Sequence, residues 1–211
     1  FPDLLSRCED HGIELLCTAY LPEDVHVVAR YVKRFKVSSF EATDAHFVAL
    51  HAEWPEKQLI ISAGMGASLR RSLTRYTDAM IGLAVPQWRA LHCVSAYPCP
   101  ADQIGLAALH NRPISDWADY RHGLSDHTRH PLTGAVAVGA GAQVIEFHVR
   151  LNDTDPRNAD FAVARTPEEA RVYVENIRAA EAMMGSGDAG AQEAEREMLR
   201  FRVGVHGQET P

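Results

Sequence analysis

The chain has 211 residues, 46% hydrophobic and 23% charged, and its 21 basic against 28 acidic side chains give a net charge of −7 with histidine neutral. That apolar fraction excludes a disordered chain, and the acidic balance argues against a nucleic-acid backbone binder, which needs a basic face. No run approaches the roughly 18 apolar residues of a membrane span, so neither nucleic acid nor membrane is an expected partner.

Short apolar runs alternate with longer amphipathic stretches. The runs fall at residues 13–19, 34–38, 58–62, 90–95, 123–125 and 143–149. Each is brief, rich in Val, Ile, Leu and Cys, and not strictly alternating, as in strands buried on both faces. Residues 23–33 follow the first run as a predicted helix, with Val27, Val28 and Tyr31 on one side. Residues 68–83 follow the third, with Leu69, Leu73, Tyr76 and Met80 at helical spacing. Near the end, Thr166-Pro167-Glu168-Glu169 spells a capping box with proline at the first helical position. Its helix runs on to about Met184, where Gly185-Ser186-Gly187 breaks it. Strand then helix, six times over, predicts a parallel α/β sheet. Residues 188–195 are polar and alanine-rich like a linker, and residues 193–202 are charged with no evident core.

The four cysteines, Cys8, Cys17, Cys93 and Cys99, have no CxxC spacing, which suggests neither a zinc ribbon nor a redox dithiol. Cys17 and Cys93 sit in apolar runs and read as buried small hydrophobes, a usage that suits a reducing cytoplasm. No signal peptide is recognised. The chain begins at Phe1 rather than Met, as a processed chain or a piece of something longer would.

Polar side chains collect where the predicted strands end: Thr18; Lys36, Ser38 and Ser39; Ser62; His92, Ser95 and Tyr97; Ser125, Asp126 and His127; Glu146 and His148. In a parallel barrel or open sheet the carboxyl ends of the strands form one ligand-binding face. His127 and His148, on adjacent strands, can share one divalent ion in an open, exchangeable site, with Asp126 or Asp160 as direct or outer oxygen partners. The same two imidazoles also suit plain core or rim positions. Lys36 with Thr18, Ser39 and Ser62 offers an ammonium and several hydroxyls, which suits a phosphate or carboxylate; ordinary strand-end hydroxyls and a surface lysine are the plainer account. Glu146 suits an acid or base, a ligand-orienting group, or a structural ion pair. Trp54, Trp88 and Trp117 read as packing residues, and Gly64-Met65-Gly66 as a tight turn offering backbone N–H groups to an anion. His11, His26, His46, His51, His110, His122, His130 and His206 share no spacing and read as solvent-facing.

Several of these segments carry a family resemblance. His92-Cys93-Val94-Ser95-Ala96-Tyr97-Pro98-Cys99-Pro100 resembles the HC(T/V)S-x-YP-x-P segment of the N-acetylneuraminate (sialic acid) synthase family, and Gly123-Leu124-Ser125-Asp126-His127-Thr128 resembles its G-(Y/L)-SDHT. Residues 135–140 with Val144-Ile145-Glu146-Phe147-His148 resemble AVALGA…IIE-(K/R)-HF. Lys36-Val37-Ser38-Ser39-Phe40-Glu41, Ile61-Ser62-Ala63-Gly64-Met65 and Cys17-Thr18-Ala19-Tyr20 resemble KI-x-S-x-E, LSTGM and STPF. The motifs run in order from about residue 12 to 185.

The resemblance implies a (β/α)8 barrel of which about six β/α units lie in this chain. It implies condensation of phosphoenolpyruvate with an open-chain N-acetylated amino sugar to give a nonulosonic acid and phosphate. His127 and His148 would hold a divalent ion, Mn2+ or else Mg2+ or Co2+. Lys36, Thr18, Ser39, Ser62 and Ser125 would hold phosphoenolpyruvate, and Tyr97, Glu146 and Asp160 would meet the sugar or the metal's water. Barrel strands one and two of the family, with an acid/base glutamate and a second lysine, have no counterpart here. Residues 1–185 would then be a partial barrel, and residues 186–211 a linker toward an antifreeze-like domain that lies outside this sequence. Asn158-Ala159-Asp160 stands for Gly-Pro-Asp, Ala63 for a threonine, and Phe147 for a basic residue. A homodimer, or a barrel completed by another chain segment, is expected, and a non-catalytic or split-subunit relative is the alternative.

Overall fold

The computed structural model describes residues 1–66, 69–80, 88–109, 122–187 and 190–202. Six strands, β1 (Cys17–Thr18), β2 (Arg34–Val37), β3 (Gln58–Ala63), β4 (Trp88–Cys93), β5 (Gly123–Asp126) and β6 (Val144–Phe147), form one sheet in chain order, every neighbouring pair parallel. Parallel neighbours need crossovers, and helices supply them. α1 (Pro2–Asp10) precedes β1; α2 (Pro22–Val28), α3 (Ala45–Leu50), α4 (Arg70–Ala79) and α5 (Thr133–Gly139) lie between strands; and α6 (Pro167–Met184) follows β6. Among the described residues no helix is long and apolar enough to cross a membrane.

The local signals explain the helix starts. Asp44 accepts the backbone N–H groups of His46 and Phe47, both at 3.0 Å, and so caps α3. Thr166 Oγ1 accepts the Glu169 N–H at 3.3 Å while the Glu169 carboxylate accepts the Thr166 N–H at 2.9 Å, the reciprocal box expected from the sequence. Boundaries differ from expectation in physically traceable ways. β1 keeps two residues of the seven-residue apolar run because it pairs on one side only, with β2. α2 ends at Val28, where Arg30 and Tyr31 donate to carbonyls three residues back and tighten the turn toward β2. β4 begins at Trp88, two residues before the predicted run. α4 spans Arg70–Ala79, with Leu69 and Met80 as its caps; Ser68 and residues 81–83 of that prediction lie outside the described residues, as do Trp117, His110 and His206.

Side chains alternate between two faces along each strand. Phe35, Val37, Leu59, Ile61, Ala63 and Ala90 point out, into the core shared with Val25, Val28, Phe47, Val48, Leu73 and Tyr76 of the helices. Leu124 and Ile145 do the same against Ala137 and Ala140. Lys36, Ile60, Ser62, Leu91, Cys93, Ser125 and Glu146 take the opposite phase. That face is concave. β2 and β6 are four strand spacings apart, about 19 Å in a flat sheet, yet Lys36 Nζ lies 3.4 Å from Glu146 Oε1.

Not every histidine read as solvent-facing is so. His51 is 1% exposed, edge-on to the rings of Phe35 and Phe47, with Nδ1 3.0 Å from the Phe47 carbonyl. The apolar run preceding it brings it into the interior as α3 turns back toward β3. His122 is half-buried and its Nδ1 accepts the Ala90 N–H at 3.0 Å. Cys93 and Cys99 are buried, whereas Cys17 is only half-buried, because β1 is an edge strand.

Burial holds the His51 imidazole below its ordinary value of 6.5. The unfolded chain therefore takes up a proton at His51 before the folded one does, so stability from the neutral ring is complete above about pH 6.5 and falls as the pH drops. In the intact protein, urea midpoints measured from about pH 8 down to about pH 5 should fall less steeply in His51→Phe than in the parent. Parallel curves would sink the assignment.

Candidate functional site

The concave face collects its polar groups at the carboxyl ends of the strands. Thr18 sits opposite Lys36 in the β1–β2 register. Lys36 is 5% exposed; its ammonium also donates to the Val37 carbonyl at 3.1 Å. Glu146 crosses from β6 to meet both Lys36 and the Ser62 hydroxyl, which donates to Oε2 at 3.2 Å. One carboxylate thus ties β2, β3 and β6 together.

Beside it lies a compact hydroxyl cluster. Ser39 and Ser95 share a hydrogen bond of 2.9 Å between β2 and β4. Ser95 Oγ and Cys93 Sγ are 3.7 Å apart. Gly64, just past β3, allows this contact, because a Cβ there would stand 2.4 Å from Ser95 Oγ. Ser125 is buried at the same level, in register with Cys93 on one side and Glu146 on the other. Met65 and Gly66 complete the turn with φ of +55° and +69°, which keeps the chain close to the strand end.

The imidazoles of His127 and His148 lie with ring centroids 5.2 Å apart and planes tilted by 57°. His127 Nδ1 lies 2.8 Å from the Val94 carbonyl, which as an acceptor fixes the Nδ1–H tautomer and leaves Nε2 its lone pair. His148 Nδ1 lies 3.4 Å from the half-exposed Asp160 carboxylate. Tyr97 covers the pair, its ring centroid 4.2 Å from that of His127 and 5.7 Å from that of His148. Among the described residues no three His, Cys, Asp or Glu side chains converge as a ligand set. Two imidazoles alone do not make a closed structural site.

The electrostatics follow the geometry. Burial pushes the Tyr97 phenol up to about 12, helped by Cys93, Asp160 and Glu146. Burial raises Tyr20 as well, with Glu41, Asp160 and Glu146 adding to it. Burial alone would raise the Cys93 thiol, but hydrogen bonding from His127, then Ser95 and Ser39, brings it below its ordinary value. Burial alone would lower His127, and hydrogen bonds to Cys93 and Val94 raise it instead.

Thr18, Lys36, Ser39, Ser62, Ser125, Tyr97, Glu146, His127, His148 and Asp160 thus share one strand-end face. Asp126 does not. It points to the outer side of β5, fully buried, where Arg165 Nη2 donates to Oδ2 at 2.9 Å and Tyr173 Oη at 2.5 Å. It is no direct ligand of an ion between the histidines. Sequence reasoning missed the part that Arg165 and Tyr173 play behind the site. The signal for Arg165 was a lone charge ending an apolar stretch, residues 161–164, just before a helix cap.

Fold and site together define a segment of a parallel (β/α) barrel whose ligand face lies at the strands' carboxyl ends. The chain belongs to the NeuB family, which it matches over residues 1–189. It is 31% identical to the N,N'-diacetyllegionaminic acid synthase of Legionella pneumophila over 184 residues, 84% of this chain and 49% of that protein. It is 28% identical to a pseudaminic acid synthase of Campylobacter jejuni over 185 residues, 87% of this chain and 52% of that protein. The crystal structure of the N-acetylneuraminic acid (sialic acid) synthetase from Leptospira borgpetersenii superposes with a TM-score of 0.80 at 19% identity, covering 98% of this chain and 72% of that one. The chain spans about half the length of the curated relatives it matches.

The closeness of Gly64 to Ser95 yields a direct test. Gly64→Ala should displace Ser95, break its bond to Ser39, and destabilise the protein by the about 1–3 kcal/mol of an overpacked site. A structure of the variant with Ser95 unmoved would refute the contact.

Proposed function

We propose that this chain forms the larger part of the barrel of a synthase that condenses phosphoenolpyruvate with an open-chain N-acetylated amino sugar. A C–C bond forms between the phosphoenolpyruvate methylene carbon and the sugar aldehyde carbon. Water adds at the neighbouring carbon, and the C–O bond to phosphate breaks, leaving a nonulosonic acid and inorganic phosphate. The relatives' names as legionaminic and pseudaminic acid synthases support this reading. The observation that carries it is the placement of a buried lysine, a hydroxyl cluster and an open histidine pair on one concave face.

Lys36 supplies the positive charge for the carboxylate or phosphate of phosphoenolpyruvate, and Thr18, Ser39, Ser62 and Ser125 supply hydroxyl donors around it. Glu146, fastened by Lys36 and Ser62, presents a carboxylate toward the sugar. Tyr97 keeps its proton at neutral pH and donates a hydrogen bond there. Asp160 orients His148 or holds water beside it. His127 and His148 would hold a divalent ion, Mn2+ first among the candidates, which supplies Lewis acidity toward a carbonyl oxygen when bound.

The family's acid/base glutamate and second lysine belong, on this reading, to two further β/α units from the same protein or another chain. Among the described residues, β1 and β6 each pair on one side only. Ile13, Leu16, Val149 and Leu151 near these edges are exposed, and a cleft of about 570 Å³ runs along β6 and α6, lined by Val138, Ile145, Phe147 and Ile177 among others. A cytoplasmic homodimer completes the proposal.

The intact protein should release phosphate from phosphoenolpyruvate when given Mn2+ and N-acetylmannosamine or a diacetamido hexose. Lys36→Ala should raise KM for phosphoenolpyruvate about tenfold or more, the worth of a charge-assisted hydrogen bond. His127→Ala and His148→Ala should each abolish Mn2+ binding and turnover. No phosphate release with any such sugar would defeat the synthase reading, and binding of both ligands without turnover would favour the non-catalytic or split-subunit relative.

A further inference from the structure

Arg165 reaches both strands of the histidine pair from behind the sheet. Its main chain runs beside His148: the Arg165 N–H donates to the His148 carbonyl at 2.9 Å, and the Arg150 N–H donates to the Arg165 carbonyl at 2.9 Å. Val149 and Arg165 form an isolated parallel bridge. Its side chain turns the other way, to β5, where Nη2 donates to Asp126 Oδ2 at 2.9 Å. Asp126 directly precedes His127, and its Oδ1 accepts the N–H of Thr128, the residue after His127, at 2.7 Å. The carboxylate therefore holds the backbone around His127, and Arg165 holds the carboxylate.

The guanidinium is itself fixed. Arg165 is 2% exposed, its guanidinium carbon 3.8 Å from the Tyr173 ring centroid and 5.5 Å from that of Phe147. The Tyr173 hydroxyl donates to the same Asp126 oxygen at 2.5 Å. A lysine could answer the charge of Asp126 but could not stack as a flat group on the Tyr173 ring.

We infer that Arg165 is a positioning residue that sets the separation of His127 and His148, and with it their affinity for a divalent ion. The inference rests on the proposed metal role of the two histidines. Metal–nitrogen bonds are short, about 2.0–2.1 Å for zinc and only slightly longer for larger divalent ions, so a small shift of one imidazole forfeits the shared site. Outer partners that orient metal ligands commonly govern affinity by about 10–100-fold.

The test uses the intact protein and Mn2+ alone, titrated by calorimetry and by electron paramagnetic resonance well below each variant's melting temperature. Arg165→Leu should weaken Mn2+ binding about 10–100-fold and alter the resonance of the bound ion. Arg165→Lys and Tyr173→Phe should weaken it less. Because Arg165 and Asp126 act as one unit, combining Arg165→Leu with Asp126→Asn should cost no more affinity than the worse single variant. If Arg165→Leu does not fold, Arg165→Lys and Tyr173→Phe decide. A lowered melting temperature with Mn2+ affinity and resonance equal to the parent's would overturn the positioning role, provided His127→Ala and His148→Ala lose Mn2+. Histidine variants that keep Mn2+ would overturn the metal reading itself, and this inference with it.

Discussion

The Lys36–Glu146 ion pair states the curvature of the whole sheet in one contact. Strands that pair only with their sequence neighbours could lie in an open twisted layer, and then β2 and β6 would never exchange side-chain contacts. Here the ammonium of one meets the carboxylate of the other at 3.4 Å, with Ser62 of β3 joining them. The sheet has therefore curled until its concave side chains meet. That constraint decides which residues face a ligand and which face the helices, because alternation along a strand sends neighbours to opposite sides.

The partition has an energetic logic. The outer face buries Phe35, Val37, Leu59 and Ile61 against helical Val25, Phe47, Val48 and Leu73, and contributes the hydrophobic stabilisation. The inner face takes lysine, serine, cysteine and glutamate, whose burial costs free energy unless each is bonded. The Asp126–Arg165 pair is an exception on the outer side: a buried charge pair within the helical layer. Such pairs add little net stability but are costly to break, so they define geometry more than they strengthen a fold. Its place behind His127 and His148 suits that use.

Much of this organisation is legible in the sequence, because it rests on local rules. The six strands were visible as apolar runs, and α6 was visible through its capping box and glycine stop, which need only a few consecutive residues. The strand-end polar residues were legible as a set because a parallel sheet gathers carboxyl ends on one face. What was illegible depends on which way a side chain points and what lies opposite. Asp126 and Ser125 are adjacent, both buried, and face opposite sides of β5; nothing in their own residue types says which faces the histidines. His51 looks like any surface histidine until α3 turns it against Phe35. Arg165 gains its meaning from Asp126, 39 residues away, which also meets Tyr173, 47 residues from it, and contacts at such separation leave no local pattern. Family resemblance supplied residue roles that spacing alone left open.

The curvature also bears on closure. In an eight-stranded barrel, strands four places apart stand opposite one another, and the interior is just wide enough for their side chains to fill it. β2 and β6 are four places apart, and Lys36 and Glu146 meet end to end. The contact is of the kind that an eight-stranded closure brings about. A flatter sheet would keep the pair apart, and a tighter one would not accommodate the two side chains. Burial along the edge agrees. All four residues of β5, with neighbours on both sides, are buried, while all four of β6, with one neighbour, are only half-buried. Six strands of an eight-stranded closure would leave room for two more between β1 and β6, the number of β/α units proposed there. The groups assigned to those units, a glutamate and a lysine, would enter the same concave face beside Thr18 and Glu146. On the proposed reading, the polar floor would be one side of a pocket whose opposite wall would come from those two units.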